Sequence, residues 1–115
     1  MNKNIIAIAL ASVIAVPVNA AESYTIDPNH TWPMFEVNHL GFSTQRGRFN
    51  VTSGKITLDT AAKKGGVDMT IGTASLDMGF EKWDEHMKSA DFFNAEQFPM
   101  MSFTSDKLVI HVDKV

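Results

Sequence analysis

The sequence predicts an all-β, antiparallel domain, either a barrel or a sandwich, with one short helical segment. Several short runs of alternating apolar and polar residues recur at intervals of about ten residues, and glycine-bearing turns separate them. Residues 80–89 break this alternation with helix-forming residues and contain no proline. The pattern of residues alone leaves the choice between a barrel and a sandwich open.

The first strand that the alternation predicts covers residues 31–39. Because proline has no N–H to donate to a ladder, Pro33 is expected at the start of this strand or on a sheet edge. A period of two places every second side chain on the same face. The apolar face of this strand is therefore predicted to carry Pro33, Phe35, Val37 and His39.

The middle of the chain predicts two further strands and a turn. Residues 48–52 and 55–59 are expected to form a hairpin around residues 52–54. Residues 61–66 include two glycines that can adopt positive φ, which indicates a turn. The alternation at residues 67–72 is the clearest in the chain and predicts a strand.

The C-terminal part combines a helix, an aromatic pair and a last strand. A short helix is predicted within residues 80–89, and the pair Phe92-Phe93 is expected to be buried. Pro99 then ends the preceding structure. Strand character returns at residues 100–110 with an interruption near residues 106–107.

The N-terminus is typical of a cleavable secretory signal. Lys3 precedes an apolar stretch at residues 5–16, and small residues at 18–20 suit cleavage after Ala20. The apolar stretch is shorter than the roughly 20 residues that a membrane-spanning helix needs. We therefore expect a signal peptide at residues 1–20 and a mature domain at 21–115, periplasmic or secreted, with no membrane span.

Charge and cysteine content exclude several classes of protein. The formal net charge is −3 at pH 7, and removal of Lys3 with the signal takes it to −4, which disfavours nucleic acid as a partner. The chain contains no cysteine, so neither a lipid-modified cysteine nor a disulfide is available. The stability of the domain must therefore come from packing.

The sequence does not predict a metal site. Its candidate ligands would be His30, His39, Asp84, His86 and Asp91, but residues 84 and 86 would point about 200° apart on a helix. No His-x-x-x-His pair is present to hold zinc. We expect the histidines to make capping or inter-element hydrogen bonds instead.

Catalysis is also not predicted from the sequence. Ser43 lies in a segment that lacks the second glycine of a nucleophile elbow. The neighbouring carboxylates of Glu81, Asp84 and Glu85 lie on a polar segment that is expected to be solvated, which does not favour a general acid or base. The sequence therefore predicts no enzyme and no cofactor.

The apolar residues expected to face inward have two interpretations, a plain core or the lining of a ligand cavity. Seven methionines and eight phenylalanines provide polarizable side chains that adapt to a flexible hydrocarbon. The inward-facing set is Phe35, Val37, Phe49, Val51, Ile56, Leu58, Val67, Met69, Ile71, Phe92, Phe93, Phe98, Met101 and Phe103.

The order of motifs along the chain resembles that of the YceI-like polyisoprenoid-binding family. The segments that carry this resemblance are YTIDPNHT at 24–31, FEVNHLG at 35–41, GRF at 47–49, GKITLD at 54–59, DEHMKSADFF at 84–93 and FPMMSFTS at 98–105. The family's later G-x-L-T-x-x-G-V-T segment has no counterpart in this sequence. The chain therefore resembles the N-terminal portion of such a domain, truncated at the C-terminus.

The resemblance implies a lipocalin-like antiparallel β-barrel with a short helical segment and an apolar interior, here incomplete, with about five of eight strands. It implies an exported, non-covalent carrier or storage protein for polyisoprenoid lipids or isoprenoid quinones. The residues that it implies as ligand-binding are Phe35, Val37, Phe49, Ile56, Leu58, Met69, Ile71, Phe92, Phe93, Met101 and Phe103. No metal is implied.

Two other functions stay open. One is an interaction module whose open sheet edges pair with another subunit, such as a second copy in a homodimer. The other is a truncated remnant without function, because an unclosed sheet exposes unpaired backbone groups.

Overall fold

The computed structural model describes residues 20–111, so the predicted signal peptide lies, apart from Ala20, outside the described residues. The described part of the chain is built from short strands and one helix. The strands are β1 (Glu22–Thr25), β2 (Met34–His39), β3 (Ser43–Phe49), β4 (Thr52–Asp59), β5 (Lys64–Gly72), β6 (Leu76–Asp77) and β7 (Met100–Thr104), and the helix is α1 (Glu81–Lys88).

Two antiparallel sheets contain all of these strands. The first sheet has the order β1-β4-β5-β7, and the second has the order β2-β3-β6. The predicted all-β, antiparallel architecture with a short helix is confirmed. The structure has more strands than the expected five, because Glu22–Thr25 and Leu76–Asp77 are too short to show an alternating pattern.

The predicted hairpin between residues 48–52 and 55–59 is wrong. Strand β3 pairs with β2 and β6, whereas β4 pairs with β1 and β5, so the two segments lie in different sheets. The chain crosses between the sheets at Asn50 and Val51. The N–H of Asn50 donates to the Ser75 carbonyl oxygen at 3.1 Å, and the N–H of Val51 donates to Ser75 Oγ at 2.9 Å. These bonds keep Asn50 and Val51 out of the hydrogen-bond ladders of both sheets.

The turn after β4 also differs from the expectation. It ends before Lys64, so Gly65 and Gly66 lie inside β5 opposite Leu58 and Thr57. Lys63 takes the positive φ of 52° that a glycine was expected to supply. The strand predicted at residues 67–72 is confirmed and begins three residues earlier.

The first sheet has one apolar and one polar face. Because paired residues share a face, the register of β5 with β4 and β7 aligns the apolar side chains. The apolar face carries Tyr24, Ile56, Leu58, Val67, Met69, Ile71, Met101 and Phe103. The opposite face carries Ser53, Lys55, Thr57, Asp68, Thr70 and Ser102.

The apolar faces of the two sheets meet in a small core. Phe49 from β3, Leu76 from β6 and Met87 from α1 are buried at its centre. The half-buried side chains that pack around them come from both sheets, from the loop between β6 and α1, and from the segment after α1. They are Phe35, Val37, Ile71, Met78, Phe93 and Met101.

Acid is expected to destabilise the domain through Asp77. The Asn50 side-chain amide donates to this carboxylate at 3.1 Å and the Gly79 N–H donates at 2.7 Å, and these bonds lower the pKa of Asp77. A folded-state pKa below the unfolded value of about 3.9 stabilises the fold above that pH, and the stabilisation is lost as pH falls through the folded pKa. The urea concentration at the midpoint of unfolding should therefore fall less between about pH 5 and about pH 2 in Asp77→Asn than in the wild type. An equal drop in both proteins would contradict this assignment.

Candidate site: an apolar cavity beside β2 and the helix

Three phenylalanines from different parts of the chain form the wall of the site. The ring centroid of Phe35 lies 5.4 Å from that of Phe49 and 5.0 Å from that of Phe93. The rings of Phe49 and Phe93 are 5.3 Å apart and perpendicular. Such edge-to-face contacts fix ring orientation, so this wall has a defined shape.

Gly47 allows the Phe35 ring to lie flat against β3. A Cβ atom at Gly47 would be 2.7 Å from Phe35 Cε1 and would also overlap Met78 Sδ. Phe35 is directly opposite Gly47 in the β2–β3 ladder, so its ring packs on bare backbone. The glycine of the sequence motif at 47–49 therefore makes room for a wall residue.

The segment after α1 delivers Phe93 to the wall. The N–H of Phe93 donates to the Met87 carbonyl oxygen at 3.0 Å, and the N–H of Ala95 donates to the Lys88 carbonyl oxygen at 2.9 Å. These bonds satisfy carbonyl groups at the end of the helix, where no intrahelical donor remains. Asn94 adopts a positive φ of 47°, which folds the segment back on α1.

A single carboxylate ties α1 to the end of the second sheet. Asp84 Oδ1 accepts the Met78 N–H at 2.6 Å, which places the first turn of the helix beside β6. The helix then presents Met87 to the core, where that side chain is 4% exposed. Asp84 lies in α1 and has a structural role, because its carboxylate fixes the loop that precedes the helix.

The main cavity among residues 20–111 is an open groove between β2 and the segment that follows α1. Its volume is about 320 Å³, within the range of small-molecule pockets. The residues that line it are Phe35, Glu36, Val37, Met87, Phe92 and Phe93. With Glu36 as the one charged lining residue, the cavity suits hydrocarbon.

A second pocket adjoins the first and shares Val37, Met87 and Phe92 with it. Its volume is about 280 Å³, and it opens toward the turn between β2 and β3. The remaining lining residues are Asn38, His39, Leu40, Trp83 and His86. This pocket therefore combines aromatic walls with hydrogen-bonding groups at one end of the apolar cavity.

The eleven predicted ligand-binding residues fall into three groups. Six belong to the shared core cluster, namely Phe35, Val37, Phe49, Ile71, Phe93 and Met101. Four continue along the apolar face of the first sheet, namely Ile56, Leu58, Met69 and Phe103. Phe92 lies on the rim of both pockets. That any of them contacts a ligand stays a prediction.

Four residues of the inward-facing set are exposed, and one of them, Phe103 at 55%, lies in the edge strand β7. Phe92 is 46% exposed because it adjoins Phe93 in a turn, where the two neighbours point in different directions, and its ring lies 5.1 Å from that of His86. Val51 is 58% exposed at the crossing between the sheets. Phe98 is 55% exposed in the loop before β7.

The histidines make local contacts on separate elements. His30 Nδ1 lies 2.7 Å from Asp27 Oδ2, and this hydrogen bond, with a second from the Asn29 N–H, lowers the pKa of Asp27. His86 Nε2 lies 3.5 Å from Asp91 Oδ2. Within residues 20–111, no three potential metal-binding side chains of His, Asp or Glu come together.

The sequence patterns missed the contributions of the helix and of β6. Leu76, Met78 and Met87 are central to the core, and Trp83 lines the second pocket, edge-on to His39 at 5.7 Å. Trp83 and Met87 are four residues apart, and residues at this spacing lie on the same face of a helix. This spacing could have predicted that both side chains face the site. The two-residue β6 offers no periodicity that identifies Leu76.

Comparison with known proteins gives a consistent result. The sequence profile of the YceI-like domain matches residues 24–114. A UPF0312 protein of Vibrio vulnificus is 41% identical, over 95% of this chain and 60% of the relative. The crystal structure of the Campylobacter jejuni YCEI protein superposes with a TM-score of 0.53 at 36% identity, over 73% of this chain and 50% of that one. Burkholderia cenocepacia BcnA gives a TM-score of 0.51 at 30% identity, over 54% of this chain and 40% of that one.

The chain thus spans about 60% of the length of the curated relatives that it matches. Over residues 20–111, the structure contains no helix that is both long and apolar enough to cross a bilayer.

Proposed function

The chain belongs to the YceI-like domain family, and from this premise we propose that it binds an isoprenoid lipid non-covalently between its two sheets. Two observations support this most: the apolar faces of the two sheets meet around Phe49, and a cavity of about 320 Å³ lined by Phe35 and Phe93 adjoins that core. Beyond this core, the first sheet extends the apolar surface through half-buried Ile56 and Met69. A long, flexible chain fits such a surface better than a compact ligand.

The energetics favour a hydrocarbon tail. Each buried CH₂ contributes about 0.8 kcal/mol, so roughly 20 enclosed carbons would contribute about 16 kcal/mol gross. Ordering the tail and removing it from a membrane offset most of this gain, so the net affinity is expected to be much lower. Met87 in the cavity lining, with Met69 and Met101 on the apolar face of the first sheet, gives the surface the adaptability that a flexible tail requires.

The proposed role is that of a carrier or store for a polyisoprenoid or an isoprenoid quinone, with no chemistry on the ligand. We propose that the N-terminal signal directs the protein to the periplasm or the exterior, where a protein-bound tail can cross an aqueous space. Glu36 is the one carboxylate that lines the main cavity, and it pairs with Arg46 at 2.6 Å. An ion-paired, exposed carboxylate is a poor general acid or base.

Native mass spectrometry of the protein recovered from an exporting bacterium tests this proposal. A discrete adduct of isoprenoid mass, recovered by solvent extraction and identified, would support it. Folded protein without any lipid adduct, which also fails to take up added decaprenyl lipid or ubiquinone, would contradict it.

A charge placed on the apolar face is expected to abolish most lipid binding. Phe103 in β7 is 55% exposed and shares its face with Met69, so Phe103→Asp would bring a carboxylate against the bound tail. The affinity for a fluorescent prenyl lipid should fall at least about tenfold, which corresponds to about 1.4 kcal/mol. Ser102→Asp, on the opposite face of the same strand, is the matched control and should retain wild-type affinity. An equal loss of affinity in both variants would contradict the assignment of Phe103 to the lipid-binding face of the sheet.

A second candidate function is the pairing of β7 with a second copy of the chain. Among the described strands, β7 lies at an edge of the first sheet, and Met100 in it is 57% exposed. An edge strand presents backbone groups that another strand can pair with. Dimerisation that depends on concentration and persists after lipid removal would support this function.

A further inference from the structure

We propose that the tip of the β2–β3 hairpin, residues 40–42, docks the protein onto an uncharged lipid bilayer surface. Leu40 is 79% exposed and Phe42 is 92% exposed, so two large apolar side chains project from a three-residue turn. The inference rests on the proposed function, because a carrier must meet the membrane that supplies or receives its lipid. Isolated exposed apolar residues are common on surfaces, and three further observations distinguish this tip.

The first observation is the absence of charge. Residues 37–45 contain no Asp, Glu, Lys or Arg, although charged residues make up 20% of the chain. The nearest charged side chains in sequence, Glu36 and Arg46, face each other across the ladder and form an ion pair at 2.6 Å. The tip therefore complements the apolar and interfacial part of a bilayer and offers no basic patch for anionic lipid.

The second observation is that two backbone N–H groups of the turn are hydrogen-bonded within the hairpin. The N–H of Gly41 donates to Asn38 Oδ1 at 2.8 Å, and the N–H of Phe42 donates to the His39 carbonyl oxygen at 3.0 Å. Unpaired backbone groups are costly to transfer into a medium without water. These two internal bonds lower the cost of placing the tip among lipid chains.

The third observation is the position of the tip beside the cavity. Leu40 lines the second pocket together with Trp83 and His86, and that pocket adjoins the main apolar cavity. A tip inserted in the bilayer would therefore hold the mouth of the pocket against the lipid surface. Trp83 at this mouth suits the interfacial region, where tryptophan is enriched.

Position-specific labelling tests the proposal, because the natural chain contains no cysteine. The protein is recovered from an exporting bacterium as Phe42→Cys, labelled with an environment-sensitive fluorophore and mixed with phosphatidylcholine–phosphatidylethanolamine vesicles. The label should shift to the blue on vesicle addition. The same label introduced by Phe98→Cys, at a phenylalanine that is 55% exposed in a loop, should not shift.

A second variant measures the contribution of the tip to binding. Leu40→Asn with Phe42→Ser should reduce vesicle partitioning at least about tenfold, since both apolar side chains are removed. Asparagine tolerates the positive φ of 55° at position 40, so the turn is retained. Phe98→Ser is the matched control and should partition as the wild type does.

The outcomes separate this inference from the proposed function. A lipid adduct in native mass spectrometry that persists in the single variant Phe42→Ser, at a residue that lines neither pocket, together with reduced vesicle partitioning of that variant, supports both. Wild-type protein that carries lipid, together with a label at Phe42→Cys that shows no blue shift with vesicles, overturns the docking inference alone. A requirement for added phosphatidylglycerol, or a concentration-dependent shift without vesicles, also overturns it, in favour of electrostatic binding or of self-association through the tip.

Discussion

Phe49→Ala is expected to lower the free energy of unfolding by about 3–5 kcal/mol. Phe49 is 3% exposed at the centre of the core and touches the rings of both Phe35 and Phe93. Truncation would leave a cavity where the two sheets and the helix meet. Because small domains are stable by only about 5–15 kcal/mol, this loss is a large fraction of the total stability.

Urea denaturation followed by circular dichroism measures this effect. Phe42→Ala is the matched control, because the same change at a side chain that is 92% exposed should alter stability by no more than about 0.5 kcal/mol. A similar, small effect at both positions would show that Phe49 is not central to the packing.

Gly54→Ala is expected to destabilise the protein by about 1–3 kcal/mol or more. A Cβ atom at Gly54 would be 3.0 Å from Met69 Cα and would overlap the Asp68 carbonyl oxygen. Both atoms belong to the backbone of β5, which is directly opposite Gly54 in the ladder. The backbone can make room only by distorting the β4–β5 pairing, so the wall of the apolar face would be disturbed.

Gly66→Ala provides the control within the same pair of strands. Its nearest neighbours would be Thr57 Oγ1 at 3.5 Å and Ser105 Oγ at 3.8 Å, which are ordinary contacts. This substitution should be neutral or should stabilise the fold by up to about 1 kcal/mol, because it restricts the unfolded chain. Thermal unfolding of both variants checks the contrast, and equal destabilisation would contradict it.

The alternation of apolar residues correctly predicted the strands at the centre of the fold. In β5, Val67, Met69 and Ile71 share the apolar face, as their spacing indicated. The same rule failed at residues 48–59, where two alternating runs were predicted to pair with each other. A local pattern identifies strands but not their partners, and here hydrogen bonds to Ser75 separate the two runs.

The candidate site was predictable only in part for a related reason. Strand residues such as Phe35 and Met101 were expected to face inward because a period of two reveals their face. The contributions of Met87 and Leu76 depend on where α1 and β6 pack, which distant contacts decide. The exposure of Phe92 depends on the local turn that directs Phe93 inward.

The central claim is that the space between the sheets holds the hydrocarbon chain of an isoprenoid lipid. Photo-cross-linking with a prenyl lipid that carries a diazirine near the middle of its tail tests it most directly. Residue-level mapping by tandem mass spectrometry should place the label on side chains of the inner face, such as Met69, Ile71, Phe93 and Met101. Labelling confined to the opposite face, at Thr70 or Ser102, or to the exposed loop at Phe98, would contradict the claim.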